Sequence, residues 1–204
     1  MPRWVSFWII FAGLAVSPVS SVLADETPVD VELVLAVDVS ASIDGGEINL
    51  QRAGYVAALT DPRAISAMLS GPLGRVAVTY VEWSETARVT VPWSVIESAA
   101  DARRFALAVQ AFPIPKGGLT NIVNALDFSA LLFEDNDIEG TRRVIDLSAD
   151  GRDSKGNEPV VAAARDRALS RGIVINGMIL TVCIFCTYLI ALHAYAGAFL
   201  TDDI

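Results

Sequence analysis

An open, mainly parallel α/β sheet with helices on both faces and one antiparallel edge strand is the fold that this 204-residue chain predicts. Three observations carry that expectation. Strand-like and helix-like segments alternate along the chain, the first strand candidate is a near-continuous apolar run, and the most clearly alternating run contains a proline. Alternation of strands with helices builds βαβ units and therefore a parallel sheet. Continuous apolar strands are covered on both faces. Proline has no N–H to give to a ladder, which confines its strand to an edge.

The elements follow in order. Residues 31–37 (VELVLAV) form the first strand. Asp44 and Glu47 have capping-box spacing and open a helix through INLQRAGYVAAL, whose apolar residues recur at helical intervals. TDPRAISAML continues as a second helical piece, with Asp61 as cap and Pro62 in its first turn. GRVAVTYVEWS (74–84) is the longest strand signal, and ARVTVPWSV (87–95), which holds Pro92, is its hairpin or edge partner. Ser98 and Asp101 repeat the capping-box spacing ahead of an amphipathic helix in residues 97–112. The loop PIPKGGL leads to Thr120 and a helix through NIVNALDFSALLF. RRVIDLS (142–148) is a strand, EPVVAAARDRALSRG a helix closed by Gly172, and IVINGMIL (173–180) a further strand. No internal repeat or low-complexity linker divides the chain, so one domain is expected.

The first 24 residues have the pattern of a secretory signal peptide: one basic residue (Arg3), an apolar run from Trp4 to Val16, and small residues before a cut ahead of Asp25. The apolar run is short for a helix that must cross about 30 Å of hydrocarbon. The expected product is an exported domain, residues 25–204, periplasmic or extracellular. The whole chain carries a formal net charge of −9, one unit more negative once Arg3 is removed. Such a balance excludes a nucleic-acid partner, whose phosphates require a basic surface, and suits a protein that attracts cations or basic partners.

The first strand ends abruptly in Asp38, Ser40 and Ser42, which alternate. Side chains two apart on extended backbone point the same way, so these three can converge. Thr120 after the Gly-Gly loop and Asp150 after RRVIDLS reach the same edge, the carboxyl ends of the strands, where open α/β sheets bind ligands. None of these segments supplies an imidazole or thiolate. Carboxylates and hydroxyls suit a hard cation, Mg²⁺, Mn²⁺ or Ca²⁺. Two carboxylates neutralise a divalent ion, and an incomplete protein shell leaves a place for a carboxylate from outside. A protein partner presenting an acidic residue is the expected ligand.

DVSAS, GGLT and SADG, in that order and on those elements, resemble the metal-ion-dependent adhesion site of von Willebrand factor A-type domains. The family pattern is Asp-x-Ser-x-Ser, a threonine from a loop, and an aspartate beside a glycine. The match falls on Asp38, Ser40, Ser42, Thr120 and Asp150, and the resemblance runs from about residue 29 to 180. LAVDVSAS, GRVAVTYVEWS, ALDFSALLF and RRVIDLSADG are most similar to a group of uncharacterised exported bacterial proteins of this type. The resemblance implies a Rossmann-like fold and a metal site that binds partner proteins, with no enzymatic reaction. After INGMIL the family normally has a polar crossover, a last strand and a closing helix. Here TVCIFCTYLIALHAYAGAF is apolar, so residues 181–204 are expected to form an atypical or truncated ending.

Several residues admit other readings. A Mg²⁺-dependent phosphotransfer or hydrolase domain would use Asp38 as nucleophile. Such domains commonly carry a second acid two residues on, where this chain has Ser40, and a well-placed lysine, whereas the chain has only Lys116 and Lys155. Cys183 and Cys186 have the spacing of a redox pair, but their apolar surroundings favour buried thiols or an incidental disulfide. His193 is the only histidine and is assigned a surface or structural role. Asp153 reads as a solvated loop acid, able to help the site through water. Trp83 and Trp93 read as packing residues near the hairpin. Residues 173–192 form a marginal membrane segment and are assigned instead to strand and helix.

Overall fold

The computed structural model describes residues 26–113, 117–134, 136–154 and 158–179. Among the described residues the first strand, β1 (Thr27–Asp38), lies at the centre of a five-stranded sheet. It is flanked in parallel by β2 (Val76–Trp83) and β4 (Ile138–Ala149). Beyond β2 runs β3 (Ala87–Ile96), antiparallel and at the edge, and beyond β4 runs β5 (Ile173–Ile179), parallel. The spatial order is β3-β2-β1-β4-β5. Pro92 lies in the edge strand, where its missing N–H costs no ladder bond.

Helices cover both faces. On one side α1 (Gly45–Thr60), α2 (Pro62–Met68) and α3 (Ala99–Ala111) pack against Leu33, Leu35, Val37, Val78 and Tyr80. On the other side α4 (Ile122–Leu131) and α5 (Glu158–Ser170) cover Val34, Ala36, Val81, Trp83, Ile145 and Leu147. β1 is apolar almost throughout because its odd-numbered residues enter one core and its even-numbered residues the other. The expected caps are present. Asp44 accepts from the Gly46 and Glu47 amides while Glu47 reaches back to the Asp44 N–H. Asp61 caps α2 with Pro62 beside it, and the Ser98 hydroxyl accepts from Asp101 N–H. Gly172 closes α5 at φ 73°, a left-handed conformation that glycine tolerates best.

β4 begins four residues before the apolar run that announced it. Its extra residues pair with Thr27–Val29 and are held by Glu32, fully buried on β1. Glu32 accepts from Gly140 N–H (2.9 Å) and Asn136 Nδ2 (2.7 Å), with Arg143 Nε at 3.3 Å. A Cβ on Gly140 would stand 2.7 Å from Glu32 Cγ, so no larger residue fits there without movement. Trp83 is buried, and Trp93 donates from Nε1 to Leu132 C=O (3.1 Å) and lies against Phe133; both pack as expected. Among the described residues no helix is long and apolar enough to cross a membrane. The expected signal peptide (residues 1–24), Lys116, Lys155, Cys183, Cys186, His193 and the expected atypical ending (181–204) all lie outside the described residues.

Candidate metal centre

β1 ends at Asp38, in register with Trp83, the last residue of β2. Val39 N–H donates to Trp83 C=O (2.8 Å), carrying the pairing one residue past the strand. The chain then turns. Ser40 N–H donates to Asp38 Oδ1 (2.8 Å), the local side-chain-to-backbone bond that aspartate makes readily in turns. Ile43 N–H donates to Ser40 C=O (3.0 Å), and Asp44 starts α1 immediately afterwards. The alternation seen in the sequence survives this turn: the Ser40 and Ser42 hydroxyls lie 3.1 Å apart, Ser40 buried and Ser42 exposed.

Asp38 is fully buried, and its Oδ2 accepts no hydrogen bond from the protein. Burial raises its carboxyl above the usual aspartate range. The Ser40 hydroxyl and amide, and more weakly the Asp150 amide, oppose that rise, and the negative charge of Asp150 reinforces it. Asp150 itself stands one residue beyond β4 and is half-buried.

The Gly-Gly loop lies directly on the Asp38–Ser42 turn. Gly118 C=O accepts from Ala41 N–H (2.9 Å). A Cβ on Gly117 would stand 2.7 Å from Ala41 N and from the Ser40 carbonyl carbon, a separation that real Cβ atoms avoid. Glycine is needed here for close approach of two backbones. Thr120, buried, is fixed from the other side: its N–H donates to Ser154 Oγ and its C=O accepts from Ser154 N–H, both at 2.9 Å. Asn121 N–H donates to Ser84 C=O (3.1 Å). Asp153 accepts from Ile122 N–H (3.0 Å) at the first turn of α4. It therefore braces the helix after Thr120, where the sequence suggested a solvated loop acid.

All five predicted site residues thus stand at the carboxyl end of the sheet. Asp38, Ser40 and Ser42 share one turn, Thr120 sits on the loop packed against that turn, and Asp150 is close enough to Asp38 for its charge to act. The braces Ser84 and Ser154 were not singled out from the sequence, since a lone serine in a loop carries no sign of a long-range bond. Gly117→Ala is expected to push the Thr120 loop off the turn, weakening divalent-cation binding by about tenfold or more while both cores stay folded. Calorimetric titration beside a thermal melt checks this.

The arrangement fits a hard divalent cation. Among the described residues no three His, Cys, Asp or Glu side chains gather as metal ligands. They offer instead a buried carboxylate oxygen with no partner, two neighbouring hydroxyls and a second acid nearby. A buried, unpaired carboxylate oxygen is costly, and a cation is the group that offsets that cost best.

A family model described as "Protein of unknown function (DUF1194)" matches residues 28–189. No curated protein matches. Among solved structures, the fold is similar to proximal thread matrix protein 1 from the mussel byssus, solved with a zinc-occupied MIDAS motif. The TM-score is 0.61 at 16% identity, covering 83% of this chain and 48% of that one. It is also similar to the pilus adhesin SpaC from Lactobacillus rhamnosus GG, with a TM-score of 0.62 at 12% identity, covering 85% of this chain and 31% of that one. The chain thus spans about half the length of the mussel protein and about a third of the adhesin. Joined to the five-stranded order and the helices on both faces, these likenesses establish the architecture: the chain belongs to the DUF1194 family, and its fold is that of a von Willebrand factor A-type domain.

Proposed function

We propose that the protein is an exported binding domain that grips an acidic residue of a protein partner through a divalent cation, Mg²⁺ by preference, with Mn²⁺ or Ca²⁺ as substitutes. The observation that carries this reading is the buried Asp38 Oδ2 with no protein partner, set beside the paired Ser40 and Ser42 hydroxyls. Asp38, Ser40, Ser42 and Thr120 would hold the ion directly or through water, and Asp150 directly or from behind. The ion would supply a Lewis-acidic position for an outside carboxylate. Two acids balance its charge, while hydroxyls fill the shell without adding negative charge. Mg²⁺ commonly keeps several waters in a shell of about six oxygens, and one of these is what the partner replaces.

Two further facts support the reading. The mussel protein similar in fold was solved with its MIDAS motif occupied by zinc, and another protein of similar fold is a pilus adhesin. The pattern of residues 1–24 supports export, with residues 25–204 as the domain and 181–204 as its atypical ending.

Thermal unfolding of residues 25–204 in Mg²⁺ and in chelator tests the proposal. At 100 times its dissociation constant, an ion that binds only the native state adds about 2.7 kcal/mol. Ser40→Ala and Ser42→Ala are expected to shrink this metal-dependent shift; the chelated melt should stay near wild type for the exposed Ser42, and fall modestly for Ser40, whose hydroxyl also stabilises the buried Asp38 carboxylate. An undiminished shift in both variants would remove these serines from the site. No shift in the cooperatively melting wild type would remove the site itself.

A further inference from the structure

α1 carries one arginine into the interior. The Arg52 side chain is 5% exposed and its partner Glu82, near the end of β2, is fully buried. Arg52 Nε donates to Glu82 Oε1 (3.0 Å), and Nη2 donates to the same oxygen. The other Glu82 oxygen accepts from Arg88 Nη2 (2.8 Å). The remaining Arg52 bonds go elsewhere: Nη1 donates to Phe112 C=O (2.5 Å) and Nη2 to Pro113 C=O (3.1 Å).

Those two carbonyls lie just past α3, on the backbone that runs into Gly117 and Thr120. Glu82 is the residue before Trp83, whose carbonyl holds Val39. α1 itself starts three residues after Ser42, with Asp44 as its cap. A single guanidinium therefore ties together the helix that follows the Asp38–Ser42 turn, the strand that holds that turn, and the chain that feeds the Thr120 loop. An ion pair serving the core alone requires only Glu82. The bonds to two successive carbonyls of a connecting segment are what need the planar fork of arginine, which lysine lacks.

We propose that Arg52 is a positioning residue for the candidate metal centre, setting the Gly117–Thr120 loop against the Asp38–Ser42 turn and so tuning cation affinity. This rests on the function proposed above for that site. Removing Arg52 alone would strand a buried carboxylate, so two variants are needed: Arg52→Lys, which keeps a cation for Glu82, and Arg52→Met with Glu82→Gln, which leaves no orphan charge. Arg88→Met is the control, because Arg88 touches Glu82 but neither carbonyl.

The experiment combines Mg²⁺ titration calorimetry with amide hydrogen exchange in the metal-free protein, read at Ala41 (bonded to Gly118) and Val39 (bonded to Trp83). Both Arg52 variants are expected to weaken Mg²⁺ binding by about tenfold, as lost charge-assisted hydrogen bonds imply. Ala41 exchange should accelerate by a similar factor while Val39 exchange stays as in wild type, and Arg88→Met should change neither site. Wild-type Mg²⁺ affinity in either folded Arg52 variant overturns the proposal. So does unchanged Ala41 protection, or collapse of both variants while Arg88→Met folds, since Arg52 would then serve the core alone. If the wild type binds no Mg²⁺, the functional reading fails and the affinity clause fails with it, while Ala41 exchange still decides whether Arg52 positions the loop.

Discussion

Asp38→Asn is expected to abolish the Mg²⁺-dependent rise in melting temperature while making the chelated protein melt higher than wild type. The two effects have one cause. Asp38 is fully buried with Oδ2 unpartnered, so without a cation the native state holds a poorly compensated carboxylate. Asparagine keeps the shape and an oxygen able to accept from Ser40 N–H, but removes the charge. The gain in the chelated protein should be on the order of 1 kcal/mol. The loss in saturating Mg²⁺ should be the whole metal contribution, about 2.7 kcal/mol at 100 times the dissociation constant. The order of stabilities therefore inverts on adding metal. A merely structural Asp38 would give the same sign in both conditions, and paired melts with and without chelator separate the two cases.

The second large effect is expected at Asp146, in the middle of β4. Its neighbours across the sheet are Leu35 and Asn176. It shares the α1 side of β4 with Val144 and with Ser148, which accepts from Gln51 Nε2 at 3.3 Å. Asp146 is 2% exposed, its Oδ2 has no partner, and burial pushes its carboxyl up to about 7. The sign follows from proton counting. Between the ordinary aspartate value and about 7, the folded state holds a proton that the unfolded state has released, so stability falls as pH rises. Below that window both states are protonated, and above it both are ionised. Asp146→Asn should remove the dependence. The stability advantage of the variant over wild type should grow from about pH 4 to pH 7 and then level off. Its plateau should be on the order of 2–4 kcal/mol, about 5–15 °C for a domain of this size. Melts across that range in chelator check it; an advantage independent of pH would mean that Asp146 does not titrate in the fold.

What the sequence disclosed, and what it hid, follows from the range of the interactions. Strand and helix alternation, Pro92 at the edge, and the caps at Asp44, Asp61 and Ser98 are local patterns, and all appear in the structure. Asp38, Ser40 and Ser42 fall on one turn because alternation on extended backbone is also local, and Thr120 and Asp150 reach the same edge of the sheet because their loops follow recognisable elements. The start of β4 was not legible. Of the four added residues Ile138-Glu139-Gly140-Thr141 only the first is apolar, and Ile138–Gly140 pair with Thr27–Val29 beside Glu32, more than a hundred residues earlier, which accepts from Gly140 N–H. Asp146 was read only as part of the strand RRVIDLS, and its burial beside Val144 and Ser148 comes from packing that no local pattern shows. Arg52 stands in an ordinary helical pattern, and nothing near it in sequence announces Glu82 or the carbonyls at 112 and 113. Ser84 and Ser154 were hidden for the same reason: each acts on a segment more than thirty positions away.

The central place of β1 also bears on when the molecule can form. Thr141 on β4 lies within hydrogen-bonding reach of Val29 across 112 positions of chain, and β1 has β2 on its other side. Until β4 emerges, β1 has one neighbour and an uncovered margin, and the core beneath α4 and α5 lacks its floor. Non-local pairing of this kind slows folding, because loop closure must be met before the contacts that compensate it. On this topology β1 is fully flanked only once Ala149 has been made, about three-quarters of the way along the 204 residues.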